Sequence, residues 1–331
     1  MSSRKKALVL LHVAVLAVAA GLLAGYLSKE PAHLVSISYP TPHSNIFVER
    51  DSDFTAVEAG WGCRCVRTGS GSERDPYMIA GWTLNASAGD GISIFGTSAH
   101  FVIREVTVYG NSMHIGILLN RVENARIEGC LIEGNFVGVC TFNTVNLVLT
   151  NNTFRNNQYG IRLEASNKNL LSANEFVGNE VAIIVRGSEN VLRSNRVARS
   201  TFGAINIDGT AGSATDNLIE TNVVTDTGGY GVAMWRARNC VIRGNNVTRN
   251  QAGITLTDES KNNLIDGNTI SHSGGNGIAI RENSSGNIVK GNVAIGNGDG
   301  VSTFDLFDSG TNNVWQNNTY ITKKPDTLQT S

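Results

Sequence analysis

Asn169-Leu-Leu-Ser-Ala-Asn-Glu-Phe176 and Asn190-Val-Leu-Arg-Ser-Asn-Arg-Val197 are two copies of one phrase, and Asn217-Leu-Ile-Glu-Thr-Asn-Val-Val224 and Asn263-Leu-Ile-Asp-Gly-Asn-Thr-Ile270 are two more. Between them recurs a small residue followed by an alternating triplet: Gly91-Ile-Ser-Ile, Gly116-Ile-Leu-Leu, Gly138-Val-Cys-Thr, Gly160-Ile-Arg-Leu, Ala182-Ile-Ile-Val, Ala204-Ile-Asn-Ile, Gly231-Val-Ala-Met, Gly253-Ile-Thr-Leu, Gly277-Ile-Ala-Ile and Gly300-Val-Ser-Thr. Intervals of 22 to 27 residues over ten copies mean stacked units. The apolar runs are too short for helices and alternate as strands do, so each unit is one coil of a parallel β-helix. Coils stack about 4.8 Å apart, which makes ten of them a rod of roughly 50 Å. Residues one and three places after each Gly are predicted to point inward and the middle one outward.

This period explains the composition. Of 331 residues 37 are Asn, and 35 of those follow residue 100. One Asn column reads Asn124, Asn146, Asn169, Asn190, Asn217, Asn239, Asn263, Asn287 and Asn313. A second reads Asn152, Asn174, Asn195, Asn222, Asn245, Asn268, Asn292 and Asn318, with Cys130 in that slot one coil earlier. Asn tolerates a left-handed bend, and its amide both donates and accepts, so stacked copies can form a structural ladder along the rod. Basic and acidic residues balance at 27 against 28, which leaves no surplus to hold nucleic acid.

The ends depart from the period. Arg4-Lys5-Lys6 precedes Ala7 to Leu27, a run apolar except for His12 and Tyr26. It reads as a transmembrane helix with residues 1–6 cytoplasmic and the rest extracytoplasmic; Val18-Ala19-Ala20 is the cleavage site if the segment is instead a signal peptide and the chain is secreted. A retained anchor is favoured. Residues 28–90, with Phe54, Trp61, Tyr77 and Trp82, form a linker and an N-terminal cap with irregular first coils. Residues 91–320 hold the repeats and 321–331 a polar tail. The fold class is therefore all-β, a solenoid of about ten coils behind an N-terminal transmembrane helix.

With its repeats and the opening Gly69-Ser-Gly-Ser-Glu-Arg-Asp75-Pro76-Tyr77-Met-Ile-Ala-Gly81-Trp82, the chain over about 40–322 resembles the NosD-like, periplasmic copper-binding type of right-handed parallel β-helix protein within the pectin-lyase-like superfamily. The resemblance implies a right-handed solenoid and leaves activity open, because such coils serve polysaccharide lyases, mannuronan epimerases, glycan-binding proteins and an accessory protein of copper-enzyme maturation. Lyase and epimerase relatives carry a carboxylate cluster on one outer face, sometimes as Asp-Pro-His, and no Asp-Pro-His occurs here.

Outward positions after the Gly column assemble Arg162, Glu164, Arg186, Asp208 and Trp235 into one mid-rod patch suited to an extended glycan: charges meet hydroxyls or uronates, and the indole offers a stacking face. Arg186 between Glu164 and Asp208 repels a calcium ion, and Asp299, Asp305 and Asp308 have no calcium-loop spacing. Copper prefers sulfur or imidazole, which points to Cys63 and Cys65 if a metal binds at all; the remaining Cys130, Cys140 and Cys240 lie in the coils, and the histidines are scattered. No cofactor is expected, with copper or calcium the two alternatives. Short loops leave no deep cleft, so the main expectation is a non-catalytic glycan-binding or scaffold module, with a polysaccharide or a protein of an extracytoplasmic complex as partner. The alternatives are a lyase or epimerase of a uronate polymer and an accessory protein of copper-enzyme maturation.

Overall fold

The computed structural model describes residues 41–55, 63–325 and 328. The expected membrane span at 7–27 and Trp61 lie outside the described residues. Within them, no helix is long and apolar enough to cross a membrane.

A representative coil has three strands, Tyr159–Glu164, Leu170–Ser172 and Glu175–Val177, before the next begins at Val181–Arg186. Each strand pairs in parallel with its counterparts one coil away. The described strands thereby form three parallel sheets: sheet one of twelve strands, mostly of six residues; sheet two of twelve shorter strands; and sheet three of eleven. At the N-terminal end, Val66–Thr68 pairs antiparallel with Tyr77–Ala80 and covers the edge of sheet two.

Side chains alternate across each strand, so the middle residue of a three-residue strand points into the rod. In sheet two this column is Ile103, Ile127, Leu149, Leu171, Leu192, Ile219, Ile242, Ile265 and Val289, all fully buried. Sheet three contributes Phe154 and Phe176, stacked at 4.8 Å with their planes 7° apart. Sheet one contributes two inward columns, represented by Ile161 and Leu163. The Gly column stands at the corner facing the Phe stack, and a Cβ on Gly160 would lie 2.5 Å from the Ala182 carbonyl oxygen and 2.9 Å from Phe176 Cδ1.

The bends account for the Asn. Asn174 Nδ2 donates to Asn195 Oδ1 at 3.0 Å and to the Leu149 carbonyl at 3.0 Å, while its backbone N–H donates to the same Asn195 oxygen at 3.1 Å. The pattern repeats from Asn152 through Asn195, Asn222, Asn245, Asn268 and Asn292 to Asn318. The left-handed residue is the one before each ladder Asn, such as Ala173 (φ 54°), Ser194 (φ 55°) or Gly244 (φ 61°). In the first column Asn169, Asn190, Asn217, Asn263, Asn287 and Asn313 occupy ladder slots. Asn124, Asn146 and Asn239 do not: each is itself left-handed, and the inward slots belong to Ala125, Leu147 and Cys240. A third ladder, unread in the sequence, runs along the bend after sheet three, where Asn135 donates to Asn157 and Asn157 to Asn179, and later Ser273 and Asn297 continue it.

Two further expectations change. The last coil does not begin at Gly300; Leu306–Asp308 pairs with Ile278–Ile280, so the corner is Asp305 and residues 298–304 are an insertion. The outward middle residues of sheet one are also largely covered, with Cys140, Ile184, Ala233, Thr255 and Ala279 buried. Larger side chains on both flanks close over them.

Candidate functional site

Those flanks give sheet one a shallow groove along the rod. Its floor is the column Cys140, Arg162, Ile184, Asn206, Ala233, Thr255, held in parallel register. Tyr159, Val181 and Tyr230 line one rim, in register with one another through Gly203. Phe142, Glu164, Arg186, Asp208 and Trp235 line the other. The Tyr230 and Trp235 rings meet edge to face at 6.0 Å, which buries Ala233 beneath them.

The five residues expected to form a patch are brought together on this face. Arg162 donates to Glu164 Oε1 through Nη2 at 2.6 Å and Nε at 3.0 Å, and lies 5.1 Å from the Tyr159 ring centre. Arg186 donates to the same Glu164 oxygen at 3.0 Å and to Asp208 Oδ2 at 2.8 Å. Asp208 Oδ1 accepts from the Thr210 backbone N–H at 2.9 Å and from the Thr210 hydroxyl. Burial alone would raise the Asp208 carboxyl, but hydrogen bonds from Thr210 and Arg186 outweigh it and hold the group below the ordinary carboxylate value. The Arg186 guanidinium is likewise opposed by burial, yet its two carboxylate partners hold its proton more tightly than usual. Ile184, Arg186, Asn206, Asp208, Thr210 and Trp235 enclose a depression of about 270 Å³. Asn206 Oδ1 is buried here without a protein hydrogen-bond donor.

The other sequence candidates have structural occupations. Cys63 and Cys65 are joined to each other as a disulfide, so in this state neither offers a thiolate to copper. Cys130, Cys140 and Cys240 are free and buried. Asp305 accepts from Asn297 and from the Ile321 and Thr322 amides, while Asp308 holds Trp315 Nε1 at 2.7 Å and Asn313 Nδ2 at 3.1 Å. Asp299 accepts three backbone N–H groups of its own turn, which push its carboxyl far below the usual range. Among the described residues no three His, Cys, Asp or Glu side chains are placed to hold a metal ion. The sequence reading missed Tyr159 and Tyr230 in the groove and gave Asn206 only as an outward residue outside the patch; regular offsets from the Gly column mark all three, the tyrosines one residue before it and Asn206 two after.

Three parallel sheets with inward aliphatic columns and Asn-lined bends define a right-handed parallel β-helix. The family description "Right handed beta helix region" matches residues 181–325, and "Periplasmic copper-binding protein (NosD)" matches residues 72–213. Between them the two descriptions span residues 72–325, so the coils are similar to those of the NosD-like right-handed parallel β-helix repeat proteins. No curated protein matches it. Among solved structures, it is similar to the periplasmic alginate epimerase AlgG at 14% identity, with 84% of each chain covered and a TM-score of 0.56. It is similar to the Azotobacter vinelandii mannuronan C-5 epimerase AlgE6 A-module at 15% identity, covering 74% of this chain and 80% of that one with a TM-score of 0.56. A catalytic domain of a GH87 α-1,3-glucanase is 13% identical, with 87% of this chain and 60% of that one covered and a TM-score of 0.51.

Proposed function

We propose that the protein is a carbohydrate-active β-helix that acts on a uronate polymer laid along the groove of sheet one, as an epimerase or lyase. This replaces the non-catalytic module favoured by the sequence, because the solved structures that share its coils include two epimerases of uronate polymers and a glucanase. The observation that carries the reading is the chain Arg162–Glu164–Arg186–Asp208 ending beside Trp235 in an open depression. Epimerisation and β-elimination both begin by removing the proton next to the sugar carboxylate, which requires that carboxylate to be neutralised. Arg186 would do this. It would exchange its bond to Glu164 for the substrate carboxylate while Asp208 keeps it oriented. Glu164, freed of that bond, is the carboxylate that would accept the proton. Trp235 offers the sugar ring a stacking face.

The test is incubation of the protein with polymannuronate, followed by NMR of the sugar ring protons and by ultraviolet absorbance of unsaturated uronate. Wild type should change one signal or the other; Glu164→Gln should lose at least 100-fold in rate and still bind. Binding without turnover would return the reading to a glycan-binding module, and no binding to this or other uronate polymers would remove it.

A further inference from the structure

The outer face of sheet two carries a feature that the groove does not explain. The first residues of its strands form an unbroken aliphatic column over eight coils: Val148, Leu170, Val191, Leu218, Val241, Leu264, Ile288 and Val314, in parallel register. All point away from the core; the first six are half-buried, and Ile288 and Val314 are 41% and 42% exposed. The corresponding outer column of sheet three is broken by Glu175, Arg196 and Asn246. Beside the aliphatic column runs a second outer column, Thr150, Ser172, Arg193, Glu220, Arg243, Asp266, Lys290 and Gln316. From Arg193 to Lys290 its charge alternates at every coil.

That alternation chooses an occupant. We propose that this face is the self-association surface of the protein, on which two copies pack as antiparallel rods about a two-fold axis parallel to the strands and midway between the coils of Leu218 and Val241. Such an axis sets each column against itself in reverse order. Leu218 then faces Val241 of the second copy, Val191 faces Leu264, Leu170 faces Ile288, and Val148 faces Val314, so all eight aliphatic residues find an aliphatic partner. In the neighbouring column Glu220 faces Arg243 and Arg193 faces Asp266, while Lys290 meets Ser172 and Gln316 meets Thr150. An axis passing through a coil would set Arg243 or Glu220 against its own copy, so the charges select the register between coils. Eight coils about 4.8 Å apart, with sheet and flanking bends about 20 Å wide, offer roughly 700 Å² per copy, close to the ~800 Å² of a stable interface. Sheet faces pack about 10 Å apart, which the Leu and Val side chains span. The groove lies on a different sheet, so the pairing leaves it open.

The test is sedimentation of the full-length chain in a mild detergent, with Leu218→Asp/Val241→Asp as the interface variant and thermal melting as a check of fold. Wild type should sediment as a dimer and the variant as a monomer that still melts in a cooperative transition, at a midpoint lowered by the lost association. A second arm uses Leu218→Cys mixed with Val241→Cys under oxidation: the antiparallel register cross-links the mixture much faster than either protein alone. A monomeric wild type, a dimer that survives the double aspartate, or faster cross-linking of one single variant with itself would each overturn the proposal.

Discussion

Asn245 is the residue whose removal the structure prices most clearly. Its Oδ1 accepts from both the backbone N–H and the side-chain amide of Asn222, each at 2.9 Å. Its Nδ2 donates to the Ile219 carbonyl at 2.9 Å and to Asn268 Oδ1 at 2.9 Å. Asn245→Ala therefore strands two buried donors of Asn222 and one buried carbonyl. At about 1–3 kcal/mol for each unsatisfied group, and with relaxation recovering part, the loss is about 4 kcal/mol. The informative control is Asn239→Gly in the same coil. Asn239 has φ 54° and stands outside the ladder, so glycine there should change stability by less than about 1 kcal/mol. Urea unfolding followed by both far-ultraviolet dichroism and tryptophan fluorescence measures the pair, because a solenoid can unfold in parts and two probes reveal it. Amide exchange should also quicken in the coils of Asn222 and Asn268 for the alanine variant alone. Equal losses for the two substitutions, or a loss below about 1 kcal/mol for Asn245→Ala, would refute the ladder as a source of stability.

Arg186→Ala should raise the carboxyl midpoint of Asp208, read by carbon-detected NMR, since part of its depression comes from the hydrogen bond and charge of that guanidinium. Because the folded Asp208 titrates below the unfolded value of about 4, its stabilising contribution is present above that value and lost as pH falls, and the variant should lose less on acidification. Burial pushes the Cys130 thiol up to about 12 and those of Cys140 and Cys240 up to about 11. All three should resist alkylation in the folded protein at neutral pH, and stability should fall as pH rises from about 9, where unfolded thiols ionise and folded ones do not. Rapid labelling of any of them without denaturant would contradict their burial. Gly160→Ala should cost about 2 kcal/mol in the same urea assay, because its methyl meets the next coil's carbonyl and Phe176, whereas Ala182→Gly should cost about 1 kcal/mol or less. Copper titrated onto the oxidised chain should find no site at Cys63 and Cys65 until their disulfide is reduced; calorimetry before and after reduction separates the two states.

Period and strand alternation made the coils readable, since a residue one step out of place would turn its side chain to the wrong side. The column errors have a local cause. A left-handed bend favours Asn as strongly as the ladder slot after it, so Asn124, Asn146 and Asn239 pass for ladder members. Spacing separates them: from a true member to the next column is five residues, as in Asn169 to Asn174, but from Asn146 to Asn152 it is six. The third ladder escaped because Ser200, Thr227 and Ser273 interrupt its Asn: the backbone N–H of Thr227 and of Ser273 donates to the Asn of the next coil, but the hydroxyls of all three make no bond along the ladder. Gly300-Val-Ser-Thr imitates the repeat inside an insertion, while the true corner is Asp305, whose carboxylate accepts the same bonds as an Asn amide. In the groove, charge placement followed from register alone, but the closing of Tyr230 and Trp235 over Ala233 depends on side-chain size on both rims, which a single column does not express.

The ladders also give the rod an electrical direction. Along the second column each Asn amide donates to the Asn one coil toward the C-terminal end and accepts from the one before, so their dipoles add head to tail as peptide groups do in a helix. A run in the first column, Asn263 to Asn287 to Asn313, ends with the Asn313 amide donating to Asp308, and Asn297 in the interrupted third column donates to Asp305. These aspartates do for a β-solenoid what an acidic residue does at the start of an α-helix, and neutralising either should loosen the last coils first.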